Sequence, residues 1–398
     1  MKTFYICSTY CVTREADSQK IYPYLIDNGF CFTKDFSKAD LIIIATCAVN
    51  ELEEDKSIRA IKYFLKHKSN SSEIIITGCL PKINPSLLKS IGNFKTISPT
   101  ELEEFDNLIK AKIKFKSVSQ QHEINIPSLP FNYVIEFRTF KELVSNFFKK
   151  FKLNKAYSRR VIERIFAEKN RLLHRKDKVF YLVIQNGCLG NCTYCAIRYA
   201  IGKSRSRPIK DIIQEFRQAL DGGYKIIYLA GEDVGAYGVD INTNIVKLLE
   251  ELFKIKGDYK LKMLEFNAEW LIKYSPDLIT LFVKNCGKLD LITVCIQSGS
   301  DRILKLMNRN YKINDVKRCL AILNKEMPKL IINGHIIVGF PGETKEDFEK
   351  TRAFLKEFKF KYLTITHYDD RPNTISSKMG GKISDKIIKK RISELIKI

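Results

Sequence analysis

The stretch VFYLVIQNGCLGNCTYC, residues 179–195, joins a short apolar run to three closely spaced cysteines. The run itself, VFYLVIQ (179–185), is rich in β-branched and aromatic side chains, which predicts a buried strand. Zinc sites usually combine two separated cysteine pairs, and redox sites use one C-x-x-C unit, whereas the spacing here is C-x3-C-x2-C. A cubane iron–sulfur cluster fits this spacing better, and the alternative is a turn with three packing thiols. The cysteines are Cys188, Cys192 and Cys195.

An iron–sulfur cluster with three cysteine ligands has one iron that the protein leaves open. A small molecule with an amine and a carboxylate can chelate this iron and accept an electron. S-adenosylmethionine has both groups, and cleavage of its S–C5′ bond yields a deoxyadenosyl radical that takes hydrogen from unactivated carbon. Gly187 and Gly190 would let the loop wrap closely on the cluster, and Tyr194 offers a ring beside the cofactor. The loop therefore predicts S-adenosylmethionine as a cofactor.

Strand and helix patterns alternate from residue 179 to the end of the chain. Six such units are too few for a closed eightfold barrel and predict an open, partial (β/α)6 barrel. Ligands of such folds bind beyond the carboxyl ends of the strands, which is where the cysteine loop lies. The predicted strands are 179–185, 225–231, 260–267, 289–297, 329–340 and 361–368.

Residues 1–112 show the same alternation and predict a separate α/β domain with a parallel sheet. Three of its cysteines, Cys11, Cys47 and Cys79, come at or just beyond the ends of apolar runs. Because the carboxyl ends of parallel strands face one crevice, we expect these thiols to converge. The predicted strands are TFYIC (3–7), LIIIAT (41–46) and EIIITG (73–78), and the predicted helices lie near 14–28 and 50–68.

The charge of the chain is strongly positive. Its 398 residues contain 68 Lys and Arg against 45 Asp and Glu, a net charge of +23. Such an excess favours an anionic partner, and nucleic acid in particular, although a lysine-rich surface is the plainer alternative. From Arg138 to Lys178 there are 14 basic and 4 acidic residues. This basic segment, 138–178, has two interpretations: it binds a phosphate backbone, or it is a helical linker whose aromatic residues pack on a neighbouring domain.

The N-terminus lacks the apolar core of a secretory signal, and about 18 consecutive apolar residues occur nowhere in the chain. The sequence therefore predicts a cytoplasmic protein that does not bind membranes, in which cysteines stay reduced or hold metal. Five further cysteines are predicted to be buried packing thiols, and Cys7 is close enough to Cys11 to be a rival ligand. They are Cys7, Cys31, Cys286, Cys295 and Cys319.

The cysteine loop, with Tyr194 before its third cysteine, resembles the radical S-adenosylmethionine superfamily. The surrounding sequence is similar to the methylthiotransferase family, and Cys11, ATC (45–47) and TGC (77–79) match the cysteines of its auxiliary cluster. The GEDVGAYGVDI stretch (231–241) most resembles the branch that modifies threonylcarbamoyladenosine beside the tRNA anticodon. The resemblance covers nearly the whole chain except 113–178. Its other motifs are GKSRSRP (202–208), LAGEDVGAYGVDINTN (229–244), IQSGSDRILKLMNRNY (296–311) and VGFPGETKEDFEKT (338–351).

The resemblance implies two [4Fe-4S] clusters, one that cleaves S-adenosylmethionine at Cys188, Cys192 and Cys195 and one at Cys11, Cys47 and Cys79. It also implies a flavodoxin- or ferredoxin-type reductant, a sulfur donor and a tRNA substrate. Cofactor-binding residues implied by the resemblance are Tyr194, Gly231, Glu232, Gln297, Ser298, Gly339 and Phe340. Arg205, Arg207, Arg309 and Arg371 also match family positions.

Each of these assignments has a structural alternative. The alternative for Glu232 is an acidic residue at the start of a helix. The alternative for Gln297 and Ser298 is a pair of polar turn residues, and that for 339–343 is a strand-to-helix turn. Single arginines are more often surface charges.

Several positions depart from the family. Arg14 replaces the usual Asn, Ile201 replaces an Arg, and Asn373 replaces a Gly. After KKRISELIKI (389–398), where members continue into a small RNA-binding β-barrel (TRAM domain), no further module follows, so we predict a chain without one. The predicted domains are 1–112 (N-terminal methylthiotransferase domain), 113–178 (basic helical linker or insertion) and 179–398 (radical S-adenosylmethionine partial barrel).

Three functions stay open at this point. The first is a methylthiotransferase that acts on tRNA. The second is a methylthiotransferase or sulfur-inserting enzyme that acts on a protein or a ribosomally made peptide, and the third is an iron–sulfur RNA-binding protein without catalysis.

Overall fold

The structure is a computed structural model that describes residues 2–8, 11–118, 179–358 and 360–398. These residues form two compact units. The first contains the chain up to 118 with the short segments 195–203 and 371–373, and the second contains the remaining described residues from 179 onward. The predicted basic segment 138–178 lies outside the described residues, as does most of the predicted linker 113–178. The predicted domain boundaries stay predictions.

The first unit is built on a five-stranded, fully parallel sheet with the order β2-β1-β3-β4-β5. Its strands are β1 (Thr3–Ser8), β2 (Cys31–Phe32), β3 (Leu41–Thr46), β4 (Glu73–Gly78) and β5 (Lys95–Ile97). Its helices are α1 (Val12–Asp27), α2 (Glu51–His67), α3 (Leu80–Ile83), α4 (Pro85–Ile91), α5 (Phe105–Ile109) and α6 (Arg198–Ile201). Short 3₁₀ turns lie at Phe36–Lys38, Leu102–Glu104 and Phe115–Ser117.

The β3 strand shows why this sheet forms where the sequence predicts it. All six residues of LIIIAT are buried, as expected of a strand covered by helices on both faces. The following helix, α2, begins at Asn50, whose side chain accepts a hydrogen bond from the Glu53 N–H (2.8 Å). Ile58, Ile61 and Phe64 then form the buried side of α2.

The second unit contains a six-stranded parallel sheet with the order β13-β12-β11-β10-β9-β6 and a small antiparallel pair, β7-β8. The strands are β6 (Val179–Val183), β7 (Gln185–Asn186), β8 (Arg205–Ser206), β9 (Ile226–Ala230), β10 (Lys260–Asn267), β11 (Leu289–Gln297), β12 (Ile331–Val338) and β13 (Tyr362–His367). The helices are α7 (Ile209–Asp221), α8 (Ile245–Lys254), α9 (Ala268–Lys273), α10 (Ser275–Lys284), α11 (Asp301–Leu306), α12 (Ile313–Glu326), α13 (Lys345–Glu357) and α14 (Asp385–Leu395). Short 3₁₀ turns lie at Val234–Ala236, Val239–Ile241 and Ser376–Lys378.

These two sheets confirm the predicted fold class, a parallel α/β domain followed by a partial barrel of six βα units. The large sheet has two different faces because side chains alternate along each strand. Ile292, Val294 and Ile296 of β11 pack in the main core with residues of the helices. The opposite face, here called the inner face, carries the intervening side chains of β11 and β12: Thr293, Cys295, Asn333 and His335.

Within the part of the chain that the structure describes, no helix combines the length and apolar character needed to cross a bilayer.

Candidate functional site

In the first unit, the structure places Cys11, Cys47 and Cys79 after three neighbouring strands. Cys11 precedes α1 just beyond β1, Cys47 directly follows β3, and Cys79 directly follows β4. Since β1, β3 and β4 are adjacent and parallel, the three residues lie at the same edge of the sheet. Burial raises the pKa of Cys47 well above its usual range, and nearby Cys11 and Cys79 raise it further. Cys47 is therefore within electrostatic reach of both other thiols.

The backbone around Cys47 and Cys79 is held in a specific geometry. The Cys47 N–H donates to Ser57 Oγ (3.0 Å), whose hydroxyl donates back to the Cys47 carbonyl (2.8 Å). The Cys79 N–H donates to the Thr46 carbonyl (3.0 Å). Gly78 has a φ of +93°, and a Cβ there would lie 2.2 Å from the Thr46 oxygen. Only glycine fits at this close approach between the ends of β3 and β4.

A buried ion pair lies in the helical turn that follows Cys11. Arg14, only 2% exposed, pairs with Asp17 (Nη1–Oδ2 2.7 Å). Burial raises the pKa of Asp17 to about 6, against the opposing effect of the Arg14 charge. Arg14 is one of the departures from the family, and its charge is paired with that of Asp17 within one turn of Cys11.

Cys7 occupies a different environment from Cys11. Its sulfur is fully buried and lies 3.8 Å from the Ile43 carbonyl in the sheet interior. Burial raises the pKa of the Cys7 thiol far above its usual range. Cys7 therefore packs inside the sheet, whereas the other three thiols lie at its edge.

The cysteine loop follows β6 and β7 at the carboxyl end of the large sheet; Cys188 and Cys192 belong to the second unit, and Cys195 begins the segment 195–203 of the first. Gly190 lies against two of the sulfurs: its N–H donates to Cys188 Sγ (3.2 Å), and a Cβ there would lie 3.3 Å from that sulfur and 3.6 Å from Cys192 Sγ. Cys195 follows three residues later in the same loop. A backbone that bends closely around sulfur in this way suits a cluster ligand loop.

Arg309 connects this loop to the centre of the sheet. One guanidinium nitrogen, Nη1, donates to Cys192 Sγ (3.4 Å), and Nη2 donates to the carbonyl of Cys295 on β11 (2.6 Å). Arg309 is 8% exposed, and its Nε atom is buried without a hydrogen-bond partner among the described residues. From the sequence, Arg309 was only a position shared with the family, whereas in the structure it directly contacts the thiol of Cys192, a predicted cluster ligand.

Glu232 reaches the same loop from the end of β9. Its carboxylate accepts a hydrogen bond from the Gly187 N–H (3.0 Å). Gly231, the preceding residue, packs closely on Gln185, because a Cβ there would lie 2.9 Å from Gln185 Cγ. The next residue, Asp233, turns inward and accepts from the Trp270 indole N–H (2.9 Å), while burial raises its pKa to about 6.

The other predicted cofactor-binding residues lie in the second unit, and several of them have contacts with the protein itself. Tyr194 packs edge-on against buried Phe340, which also packs against Tyr368. Gln297 ends β11 with a φ of +71°. Ser298 and Gly339 have structural partners: the Ser298 hydroxyl lies 3.3 Å from Thr351 Oγ1, and a Cβ at Gly339 would lie 2.5 Å from Ile388. Their roles in cofactor binding stay predictions.

Two of the four family arginines form ion pairs away from the cysteine loop. Arg207 pairs with Glu215 (2.5 Å), and Arg371 pairs with buried Glu54 in the first unit. These contacts give both side chains a structural role.

Four polar atoms in the second unit are buried and have no hydrogen-bond partner among the described residues: Gln185 Oε1, Ser204 Oγ, Arg309 Nε and Asn333 Oδ1. Buried polar groups are normally paired, so the orphaned atoms of Gln185, just before the cysteine loop, and of Arg309, which contacts it, favour a polar ligand that completes them. Together with the sulfurs around Gly190, they fit an iron–sulfur cluster and a polar cofactor such as S-adenosylmethionine.

The predicted packing thiols have mixed outcomes. Cys7 and Cys319 are buried, as predicted, whereas the prediction is wrong for Cys31 and Cys286, which are exposed. Cys31 lies on the edge strand β2, and Cys286 lies in the turn after α10, where a short apolar neighbourhood in sequence does not produce burial. Cys295 is buried, but it contacts Glu265 and His335 on the neighbouring strands, which the sequence alone did not indicate.

Comparison with known proteins agrees with this geometry. Residues 182–355 match the family model of the radical SAM superfamily, and residues 3–97 match that of the uncharacterized protein family UPF0004. A tRNA-2-methylthio-N(6)-dimethylallyladenosine synthase of Thermodesulfovibrio yellowstonii is 30% identical, over 100% of this chain and 83% of the relative. A probable threonylcarbamoyladenosine tRNA methylthiotransferase of Pyrococcus horikoshii is 28% identical, over 95% of this chain and 79% of the relative.

The solved structure of the radical S-adenosylmethionine methyltransferase TsrM of Kitasatospora setae has the same fold. It superposes with a TM-score of 0.62 at 11% identity, over 94% of this chain and 77% of TsrM. The fold and the cysteine loop thus define a radical S-adenosylmethionine enzyme, which uses a [4Fe-4S] cluster and S-adenosylmethionine. More particularly, the chain belongs to the radical S-adenosylmethionine methylthiotransferase family.

Proposed function

We propose that this enzyme inserts sulfur and a methyl group at an unactivated C–H position of threonylcarbamoyladenosine, next to the anticodon of cytoplasmic tRNA. The observation that carries the proposal is the pair of cysteine sets, one at the carboxyl edge of each parallel sheet. The names of relatives support the substrate: those from Pyrococcus horikoshii and Methanocaldococcus jannaschii are described as probable threonylcarbamoyladenosine tRNA methylthiotransferases.

The site at the cysteine loop provides the radical chemistry. Cys188, Cys192 and Cys195 would hold the [4Fe-4S] cluster, which together with S-adenosylmethionine supplies a deoxyadenosyl radical for hydrogen abstraction. Arg309 donates to Cys192 Sγ and so stabilises the thiolate. Glu232 lies next to the loop and can accept a hydrogen bond from the ammonium group of the methionine moiety.

The first-unit site would hold the auxiliary cluster that carries the sulfur to be donated. Cys47 and Cys79 are buried and Cys11 is half-buried. Burial keeps the metal-free Cys47 thiol protonated, so metal binding must displace its proton. A flavodoxin- or ferredoxin-type protein would supply electrons, and a separate sulfur donor would restore the sulfur.

The basic segment 138–178 is the proposed tRNA contact. It holds 14 basic and 4 acidic residues, and phosphate contacts dominate the affinity of proteins for nucleic acids. Neutralising Lys149, Lys150, Arg159 and Arg160 should weaken tRNA binding and reduce its salt dependence. Binding that does not depend on salt would contradict this part of the proposal.

Mass spectrometry of tRNA nucleosides tests the substrate. The gene is deleted from its host and restored as wild type, as Cys47→Ala, or as Cys31→Ser, which changes an exposed cysteine outside both sets. We expect 2-methylthio-threonylcarbamoyladenosine to disappear on deletion and to return with the wild type and Cys31→Ser only. Loss of a methylthiolated dimethylallyladenosine instead would shift the substrate, and unchanged tRNA nucleosides would refute tRNA as the substrate.

A further inference from the structure

Three side chains with metal-binding chemistry meet on the inner face of the large sheet. Cys295 Sγ lies 3.5 Å from Glu265 Oε2 and 3.7 Å from His335 Nδ1, and the latter two atoms are 4.0 Å apart. The residues come from three adjacent strands, β10, β11 and β12. None of them belongs to either cysteine set.

The backbone is shaped to bring these groups together. Cys295 and His335 are direct neighbours in the pairing of β11 with β12, so their side chains share a face. On the other side, the pairing of β10 with β11 shifts between Met263 and Phe266, and Glu265 within that shift has a φ of +53°. Such a bulge re-aims a side chain, and a positive φ is unfavourable for glutamate. The irregularity therefore directs the Glu265 carboxylate toward Cys295.

We propose that Glu265, Cys295 and His335 hold a zinc ion, with a fourth coordination position open to water or a substrate group. Thiolate, imidazole and carboxylate are the ligands that zinc takes, and three protein ligands with one open position are typical of catalytic rather than structural zinc sites.

The measured separations are close to those of a zinc tetrahedron. With ordinary bond lengths, zinc places its sulfur about 3.5 Å from a ligand nitrogen or oxygen, and a ligand nitrogen about 3.3 Å from an oxygen. Both distances from Cys295 Sγ, 3.5 and 3.7 Å, match this. The 4.0 Å between His335 and Glu265 must shorten, and the Glu265 side chain, 51% exposed, has room to move.

The surroundings of this site point to a ligand as well. Asn333, two residues before His335 on the inner face, has a buried Oδ1 atom without a partner among the described residues. The Cys295 carbonyl accepts from Arg309, whose other nitrogen contacts Cys192 Sγ. Arg309 thus contacts both the proposed zinc ligand Cys295 and the radical-site cysteine Cys192. The open position of a zinc ion so placed can bind and polarise a substrate group.

The test measures zinc in the full-length protein after anaerobic cluster reconstitution and exposure to one equivalent of zinc chloride. We expect about one zinc per chain, and X-ray absorption at the zinc edge should show one sulfur with nitrogen and oxygen ligands. Zinc trapped at either cysteine set would instead show three or more sulfur ligands. That result would overturn the proposal, as would a zinc content no higher than that of His335→Ala.

Variants make the assignment specific. Cys295→Ser, His335→Ala and Glu265→Gln should each weaken zinc binding at least about 100-fold, since removing a ligand costs more than removing a group that only orients one. The matched controls are Cys286→Ser and Cys319→Ser, which should keep full zinc. Glu265→Gln is the safest variant because its side chain is half exposed, and iron content and thermal unfolding show whether each variant folds. Equal zinc in Glu265→Gln and wild type would contradict the assignment. Since Cys188→Ala should lose deoxyadenosine formation but keep its zinc, failure of the zinc site is distinguishable from failure of the proposed function.

Discussion

Replacement of Gly78 by alanine should damage the first cysteine site through the backbone alone. Gly78 directly precedes Cys79, and Thr46, which it contacts, directly precedes Cys47. An alanine Cβ would lie 2.2 Å from the Thr46 oxygen, whereas real contacts are at least 3.0 Å, so the ends of β3 and β4 must separate by about 0.8 Å. The positive φ costs about 1–2 kcal/mol and the overpacking about 1–3 kcal/mol, which gives roughly 2–5 kcal/mol in total.

Gly29→Ala is the matched control, because Gly29 has a similar φ of +85° and nothing within 4 Å of its added Cβ. It should lose only about 1–2 kcal/mol through backbone strain, that is roughly a quarter to two thirds of the effect at Gly78. Denaturant unfolding and iron analysis after reconstitution measure both effects. We expect Gly78→Ala to unfold earlier than Gly29→Ala and to lose the iron of the first site while keeping that of the second. Equal stability and equal iron in the two variants would refute the reasoning.

Three further predictions concern the second unit. Glu232→Gln should weaken S-adenosylmethionine binding about 10- to 100-fold by calorimetry, because a charged hydrogen bond contributes about 1.5–3 kcal/mol. Glu250→Gln, at an exposed position of α8, is the control, and equal affinities of the two variants would count against the role of Glu232. Arg309→Gln should lower the reduction potential of the cluster at unchanged iron content, since a positive charge 3.4 Å from Cys192 Sγ favours the reduced state. The control is Arg352→Gln on the surface, and equal potentials of the two variants in a redox titration would contradict this. Asp347→Asn should cost about 2–3 kcal/mol at pH 7, because hydrogen bonds from Arg302, Ser300 and Thr344 outweigh burial and lower the pKa of Asp347. That stabilisation is present above the unfolded-state pKa of about 4 and is lost as pH falls below it. The unfolding free energies of wild type and variant should therefore converge toward about pH 2, and a difference that stays constant with pH would disprove this.

The parallel sheets could be predicted from the sequence because their strands are continuous apolar runs. LIIIAT and EIIITG are buried along nearly their whole length, which is typical of strands in a parallel sheet covered on both faces. The edge location of Cys11, Cys47 and Cys79 followed from the same pattern, since the chain direction of parallel strands fixes which ends meet.

Contacts across the sheet could not be predicted in this way. Glu265, Cys295 and His335 are at least thirty residues apart, and their meeting depends on the register of three strands and on a bulge in β10. Gly339 is a similar case: its lack of a side chain has a packing reason in Ile388 of α14, 49 residues later, which no local motif shows. Arg309 also acquires its contacts only when β11 and the cysteine loop fold together.

The division of labour between the two cysteine sets is the central claim, and a single anaerobic assay measures it directly. Reconstituted enzyme is incubated with a reductant, S-adenosylmethionine and tRNA that carries threonylcarbamoyladenosine, and deoxyadenosine and methylthiolated nucleoside are quantified together. Wild type should form both products, Cys188→Ala should form neither, and Cys47→Ala should form deoxyadenosine without methylthiolated nucleoside. Methylthiolated nucleoside from Cys47→Ala, or no deoxyadenosine from the wild type, would contradict the account.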